Sequence, residues 1–396
     1  MILLLFIPVI CHSQNPSRWR GPNENGYYPD TGLLKVWPTG GPQVLWHYDK
    51  LGEGFSSPAF GNGMIYTSGM EKETGYVYAL RQDGSLVWKA PYGSEFLKSY
   101  PGSRGTPVID GDHLYILSGM GRLSCLSSNS GQLLWTKDLF QEFGGRNTEW
   151  GLAETPVIHG DKLICTPGGK IHNVIALNKY SGDLIWTTKG MGEIPAYCTP
   201  LLIEIGGRNL LITHTAKNII GVDADKGDFL WHYPHVNIYD IHPNTPVYHD
   251  GQVFCFSGYG KGGVMLRLNE DGSEATKMWF CETMDSRIGG AVYMDGYLYG
   301  SGDKNREWQC IDWSSGQVKY ESKELGNGVV IAAEGLLYIY SQRGELALVK
   351  PGSLSFEIIS EIRVAFGSGQ HWAHPVINEG RLFVRHGNAL IAYKIR

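Results

Sequence analysis

Apolar and polar residues alternate along most of this chain in short runs, separated by glycine-containing pairs. Ile109-Asp110-Gly111-Asp112-His113-Leu114-Tyr115-Ile116 reads as strand, two-residue turn, strand. A period of two turns one face of each run inward, and Asp-Gly accepts the left-handed backbone of a tight hairpin. The turn recurs at Asn62-Gly63, Gly160-Asp161, Asp250-Gly251, Asp295-Gly296, Glu334-Gly335 and Glu379-Gly380. In the same unit Arg122 to Leu126 forms a third strand, Ser130-Gly131 turns the chain, and a fourth strand ends at Trp135.

The unit repeats. Trp46, Trp88, Trp135, Trp186, Trp231 and Trp279 are 42, 47, 51, 45 and 48 residues apart, and Tyr320 continues the series. A second mark lies upstream: Ser57-Pro58, Thr106-Pro107, Thr155-Pro156, Thr199-Pro200, Thr245-Pro246 and His374-Pro375, with Gly290-Ala291 and Gly328-Val329 as versions without proline. Four antiparallel strands per period of about 45 residues describe a propeller blade. Eight blades follow, starting near Ser57, Thr106, Thr155, Thr199, Thr245, Gly290, Gly328 and His374. The last unit reaches Arg396 after three strands. The strand Pro42 to Tyr48 carries Trp46 with no blade ahead of it, so it is expected to complete the last blade and remove an open edge. The predicted fold class is all-β: a single eight-bladed β-propeller of four-stranded antiparallel blades, closed by an N-terminal strand.

Composition changes this picture little. The 53 glycines, 12 tryptophans and 22 tyrosines among 396 residues suit many strands joined by tight turns. A net charge of −5 without a basic run argues against a nucleic-acid partner. No run of 18 apolar residues occurs, so no membrane-spanning helix is expected. Met1 to Ile10 is almost wholly apolar, and the segment 1–13 reads as a secretory signal peptide. An extended leader over 14–41 and the propeller over 42–396 follow. The expected location is periplasmic or secreted, with outer-membrane association as one form of it. Cys11 raises lipid attachment, which Ile10 before it disfavours.

Other signals fail on context. Cys125 and Cys310 share one repeat position and Cys165 and Cys255 another, all in non-adjacent blades, so these four are not expected to pair. Gly258, Gly260 and Gly263 form G-x-G-x-x-G between two strands, where a nucleotide site needs a strand and a helix. Asp223-Ala224-Asp225-Lys226-Gly227 is half a calcium loop, with Pro234 where the closing acid belongs.

Candidate chemistry sits on the loops that enter the innermost strands, because these converge on the axis. They carry Arg104, Trp150, Glu154, Tyr197, His242, Asn244, Arg287, Asn327, His371 and Trp372, with Asp285 beside Arg287. A funnel with polar groups and aromatic platforms for a small or sugar-like ligand is one expectation. The plainer one is a hydrated channel whose side chains satisfy each other.

Within the repeats, Ala or Cys is followed by Gly six residues on and Trp four later. Examples are Cys125/Gly131/Trp135 and Ala176/Gly182/Trp186, with Gly221/Gly227/Trp231 and the aromatic-swapped Cys310/Gly316/Tyr320 as variants. This resembles the tryptophan-docking motif of pyrroloquinoline quinone (PQQ) repeat propellers, over nearly all of 42–396. The leader Trp19-Arg20-Gly21-Pro22-Asn23 is similar to that of secreted polyvinyl-alcohol-dehydrogenase-like members, and the bare propeller resembles the assembly lipoprotein BamB. The resemblance implies an exported, non-catalytic scaffold without cofactor, monomeric, with a protein, an extracellular polymer or a small molecule as partner. It also implies an alternative, a PQQ- and calcium-dependent alcohol dehydrogenase. There Asp285 would be the base, Glu154 and Asn244 would hold calcium, and Arg104, Trp150, Arg287 and Trp372 would hold the quinone. The chain lacks that enzyme family's adjacent Cys-Cys, its long roofing insertions and a haem-attachment motif, which favours the scaffold. A polymer- or sugar-binding protein is the third reading.

Overall fold

The computed structural model describes residues 17–396. The expected signal peptide over 1–13, Cys11 and the first leader residues lie outside the described residues. Eight antiparallel sheets form eight blades, with strands starting at Ala59, Val108, Val157, Leu201, Val247, Ala291, Gly328 and Val376. Blade 1 shows the plan: Ala59–Gly61, Met64–Glu71, Thr74–Leu80 and Leu86–Ser94, from axis to perimeter. At the first hairpin, Asn62-Gly63, Asp250-Gly251, Asp295-Gly296, Glu334-Gly335 and Glu379-Gly380 each hold two positive φ angles, which the twist of a two-residue turn requires. The helix Leu139–Phe143 is the only one among the described residues, and Asp138 caps it by accepting from the Phe140 and Gln141 amides at 3.0 Å.

In blade 8 the outer position is taken by Val44–Tyr48, which pairs antiparallel with Ala389–Lys394 and sets Trp46 opposite Ala392. Each junction between blades has its own apolar core. Leu51, Ile65, Tyr78, Phe383 and Leu390 fill the one between blades 8 and 1. The proline marks add polar stitches around the axis. Ser57 N–H donates to Thr106 Oγ1 (3.1 Å), Thr106 N–H to Thr155 Oγ1 (3.4 Å) and Thr155 N–H to Thr199 Oγ1 (3.0 Å). Ser57 Oγ–H donates to the His374 carbonyl at 2.9 Å, joining the last blade to the first. The six cysteines among the described residues are free and buried.

The leader crosses one end of the ring. Ser17 N–H donates to the Ile109 carbonyl in blade 2, and the Glu24 carboxylate accepts from Leu202 N–H in blade 4. Tyr27–Tyr28 lies parallel to Gly328–Ala333 as a fifth strand of blade 7. Leu34 N–H reaches the Ile395 carbonyl in blade 8, and buried Trp37 ends the crossing by donating its amide to Ser360 Oγ.

Candidate functional site: the axial cavity

A cavity of about 240 Å³ lies where the inner-strand entry loops meet. Seven aromatic rings line it: Trp19, Phe55, Tyr100, Trp150, Tyr197, Tyr259 and Trp372. Two guanidiniums, Arg104 and Arg287, line it as well, and no carboxylate does. Trp19 comes from the leader, and its ring stands edge-on to His374 at 4.9 Å. Trp372 is wedged between Phe55 (5.1 Å) and Tyr100 (4.9 Å), so its orientation is fixed by packing.

The loop backbones are strained at this site. Tyr100, Tyr197 and Tyr259 have φ of +48°, +71° and +64°. A left-handed bulky residue costs of order 1–3 kcal/mol and persists only where the surroundings enforce it. Here it turns three rings onto one space. Arg104 is held by the Gly102 carbonyl (2.9 Å) and the Tyr100 carbonyl (2.8 Å) and lies 5.4 Å from the Phe96 ring centroid. Burial lowers its pKa, against which the nearby Glu95 charge acts. His374 is pushed down to about 3 by burial, and its Nε2–H donates to the Ile288 carbonyl. It stands neutral against the cavity.

Five of the sequence-predicted residues reach the cavity wall: Arg104, Trp150, Tyr197, Arg287 and Trp372. The others do not. Glu154 turns into its blade, accepts from the Thr166 amide at 2.9 Å, and is pushed up to about 8 by burial. His242 is buried between His214 and His235, with ring centroids 5.1 and 5.5 Å away, and donates to the Ala216 carbonyl. Asn244 spends its amide on backbone, donating to Ser286 and Phe256 carbonyls and accepting from Gly290 N–H. His371 bonds the Tyr340 hydroxyl and stacks on His386 at 3.8 Å. The physical reason is common to all four. Each lies beside buried backbone polar groups or other side chains that need a partner, and satisfying those outweighs facing water.

Asp285 and Asn327 line a second cavity of about 950 Å³, which shares Tyr259 and Arg287 with the first. Asp285 accepts three amides, from Gly260 (2.8 Å), Asp303 (2.8 Å) and Lys304 (3.2 Å). Asn327 donates to Asp303 Oδ1 at 2.7 Å. Glu154 Oε1, Asn244 Oδ1 and both oxygens of Asp285 therefore accept from separate backbone donors. Among the described residues no cluster of three His, Cys, Asp or Glu side chains is arranged to hold a metal. This donor set does not fit a calcium ion.

The sequence reading missed Trp19, Phe55, Tyr100 and Tyr259 at the wall. Tyr259 sits inside the G-x-G-x-x-G run, where three glycines gave the only signal that backbone and cavity come close.

Fold and repeat chemistry together define the class: an eight-bladed propeller of the PQQ-repeat type. Solved structures agree at the level of fold. BamB from Moraxella catarrhalis has a TM-score of 0.64 at 15% identity over 89% of this chain and 98% of that one. Quinohemoprotein alcohol dehydrogenase from Comamonas testosteroni has a TM-score of 0.66 at 10% identity, over 93% and 78%. The chain belongs to the outer membrane protein assembly factor BamB family, whose profile matches residues 73–322. The outer membrane protein assembly factor BamB of Shewanella oneidensis is 25% identical over 206 residues, 51% of this chain and 48% of that protein. The quinoprotein ethanol dehydrogenase of Pseudomonas aeruginosa is 25% identical over 162 residues, 38% of this chain and 25% of that protein. The match spans about half the length of the BamB relatives.

Proposed function

We propose that this protein is an exported, non-catalytic binding scaffold that holds its ligand in the axial cavity. One observation carries the reading: two guanidiniums and seven aromatic rings line that space, and no carboxylate does. Alcohol oxidation on a quinone needs a base within reach of the hydroxyl. Glu154 and Asp285, the two expected carboxylates, are bonded elsewhere. Arginine beside fixed aromatic faces instead suits recognition of an anionic or sugar-like group. The relatives named for outer membrane protein assembly support a place beyond the inner membrane, reached through the 1–13 signal, with a protein or polymer partner.

The test uses the chain from residue 14 onward. A thermal-shift screen against carboxylates and sugars is expected to find ligands that raise Tm in the wild type and not in an Arg104→Ala/Trp372→Ala variant. Dye-linked oxidation of alcohols after loading with PQQ and calcium is expected to stay at background. Saturable turnover lost in Glu154→Gln overturns the reading.

A further inference from the structure

We infer that the axial cavity and the second cavity form one groove for a uronate-containing oligosaccharide. This rests on the binding reading above and names its ligand class. The two spaces share Tyr259 and Arg287. Five cationic side chains line the larger one, namely Arg287, Lys304, Arg306, Lys323 and Arg343, against two carboxylates, Asp285 and Asp303. The whole chain carries −5, so this basic strip runs against the protein's overall charge.

Some of these charges are already paired. Lys323 meets Glu307 at 2.9 Å, and Arg343 meets Glu345 at 2.7 Å. Lys304 and Arg306 are exposed and, among the described residues, have no ion-pair partner. Their loop is built to present them. Asp285 ties down the Asp303 and Lys304 amides, and Arg306 stands at φ +57°. Asp303 holds Arg287 at the junction through its amide (2.8 Å) and its Nε (3.4 Å). Asp285 and Asp303 are positioning residues here.

Ring faces and spaced cations select the ligand. Aromatic platforms such as Trp372, wedged between Phe55 and Tyr100, match the flat apolar faces of pyranose rings, and guanidiniums match carboxylates in two-pronged fashion. A peptide would seek open strand edges near the axis. At the far end the leader already uses two of them, with Ser17 on Ile109 and Tyr27–Tyr28 on Gly328–Ala333. The groove offers side chains rather than a backbone ladder.

Calorimetry with tetragalacturonate, maltotetraose and a tetraglutamate peptide tests this on the mature chain. Tetragalacturonate is expected to bind at least about tenfold tighter than the other two, with affinity falling as salt rises. Lys304→Ala/Arg306→Ala is expected to weaken it about tenfold while leaving monomeric galacturonate unchanged, and Arg287→Gln to weaken both. Equal binding of the neutral sugar, or tighter binding of the peptide, overturns the inference. So does absence of heat with all three. If the thermal-shift ligands of the axial cavity still depend on Trp372 in that case, the binding reading survives and only the glycan assignment falls.

Discussion

The perimeter and the axis of this ring obey different rules. At the perimeter one residue type makes one contact. Trp46, Trp135, Trp186, Trp231 and Trp279 each donate Nε1–H to a carbonyl of the next blade, at 2.9 to 3.1 Å. The acceptors are Gln82, Lys179, Ala224, Gly272 and Trp313. At the axis, equivalent loops end in different ways. Arg104 folds back on its own loop, Glu154 dives into a blade, His242 joins a histidine cluster and Trp372 faces the cavity. Repetition marks the contacts that hold the ring. Departure from repetition marks the space where a ligand fits.

The largest test of this contrast is Trp186→Ala. The ring is 8% exposed and covers Gly227, whose φ is +79° and which has no room for a Cβ. Its loss is expected to cost about 3–5 kcal/mol in urea unfolding. Trp372→Ala at the axis should cost far less, and a comparable loss there would erase the distinction.

Acid should expose the second difference. Burial holds His214 and His235 well below the ordinary histidine value of 6.5 and His242 down to about 4. The unfolded chain takes up protons near pH 6.5 that the fold refuses, so stability falls as pH drops from about 6.5 to about 4. A triple His214→Phe/His235→Phe/His242→Leu variant that still folds should flatten that part of a Tm–pH curve.

Glu154 gives the opposite slope. Its folded pKa of about 8 stands above the unfolded 4.5, so the fold keeps a proton the unfolded chain loses. Stability from this site is complete below pH 4.5 and is lost as pH rises toward 8. Glu154→Gln is expected to raise stability by about 1–3 kcal/mol at pH 8 and by almost nothing at pH 4. Equal effects at both pH values would show that the carboxyl is not buried neutral.

The finest comparison lies within the perimeter. Trp88 Nε1 is buried without a hydrogen-bond partner, whereas Trp186 Nε1 has Ala224. Trp186→Phe should cost about 1 kcal/mol more than Trp88→Phe in chemical denaturation, the value of one satisfied bond.

Sequence reading located the blades because a blade is a local object. Asp-Gly hairpins, alternation and tryptophan spacing act over tens of residues, and each is visible without knowing what lies opposite. The docking motif groups Gly131 and Trp135 by their spacing within one blade. In the structure Trp88 of the preceding blade covers Gly131, and Trp135 covers Gly182. The motif's residues lie within one blade, and each ring packs on the glycine of the next.

Orientation at the axis was not legible in the same way. Arg104, Trp150, Tyr197, Arg287 and Trp372 line the axial cavity, whereas for Glu154, His242, Asn244 and His371 a position near an inner strand did not say which way the side chain turns. That choice depends on partners far away in sequence. Asn244 meets Gly290 across 46 residues, and Trp19 meets His374 across the whole ring. The amino-acid sequence by itself determined the repeat, the blade count and the docking residues, since these follow from local periodicity. Only the tertiary structure decided which polar groups are consumed by buried backbone and which remain to face a ligand, because hydrogen-bond satisfaction in a closed ring is settled among all eight blades at once.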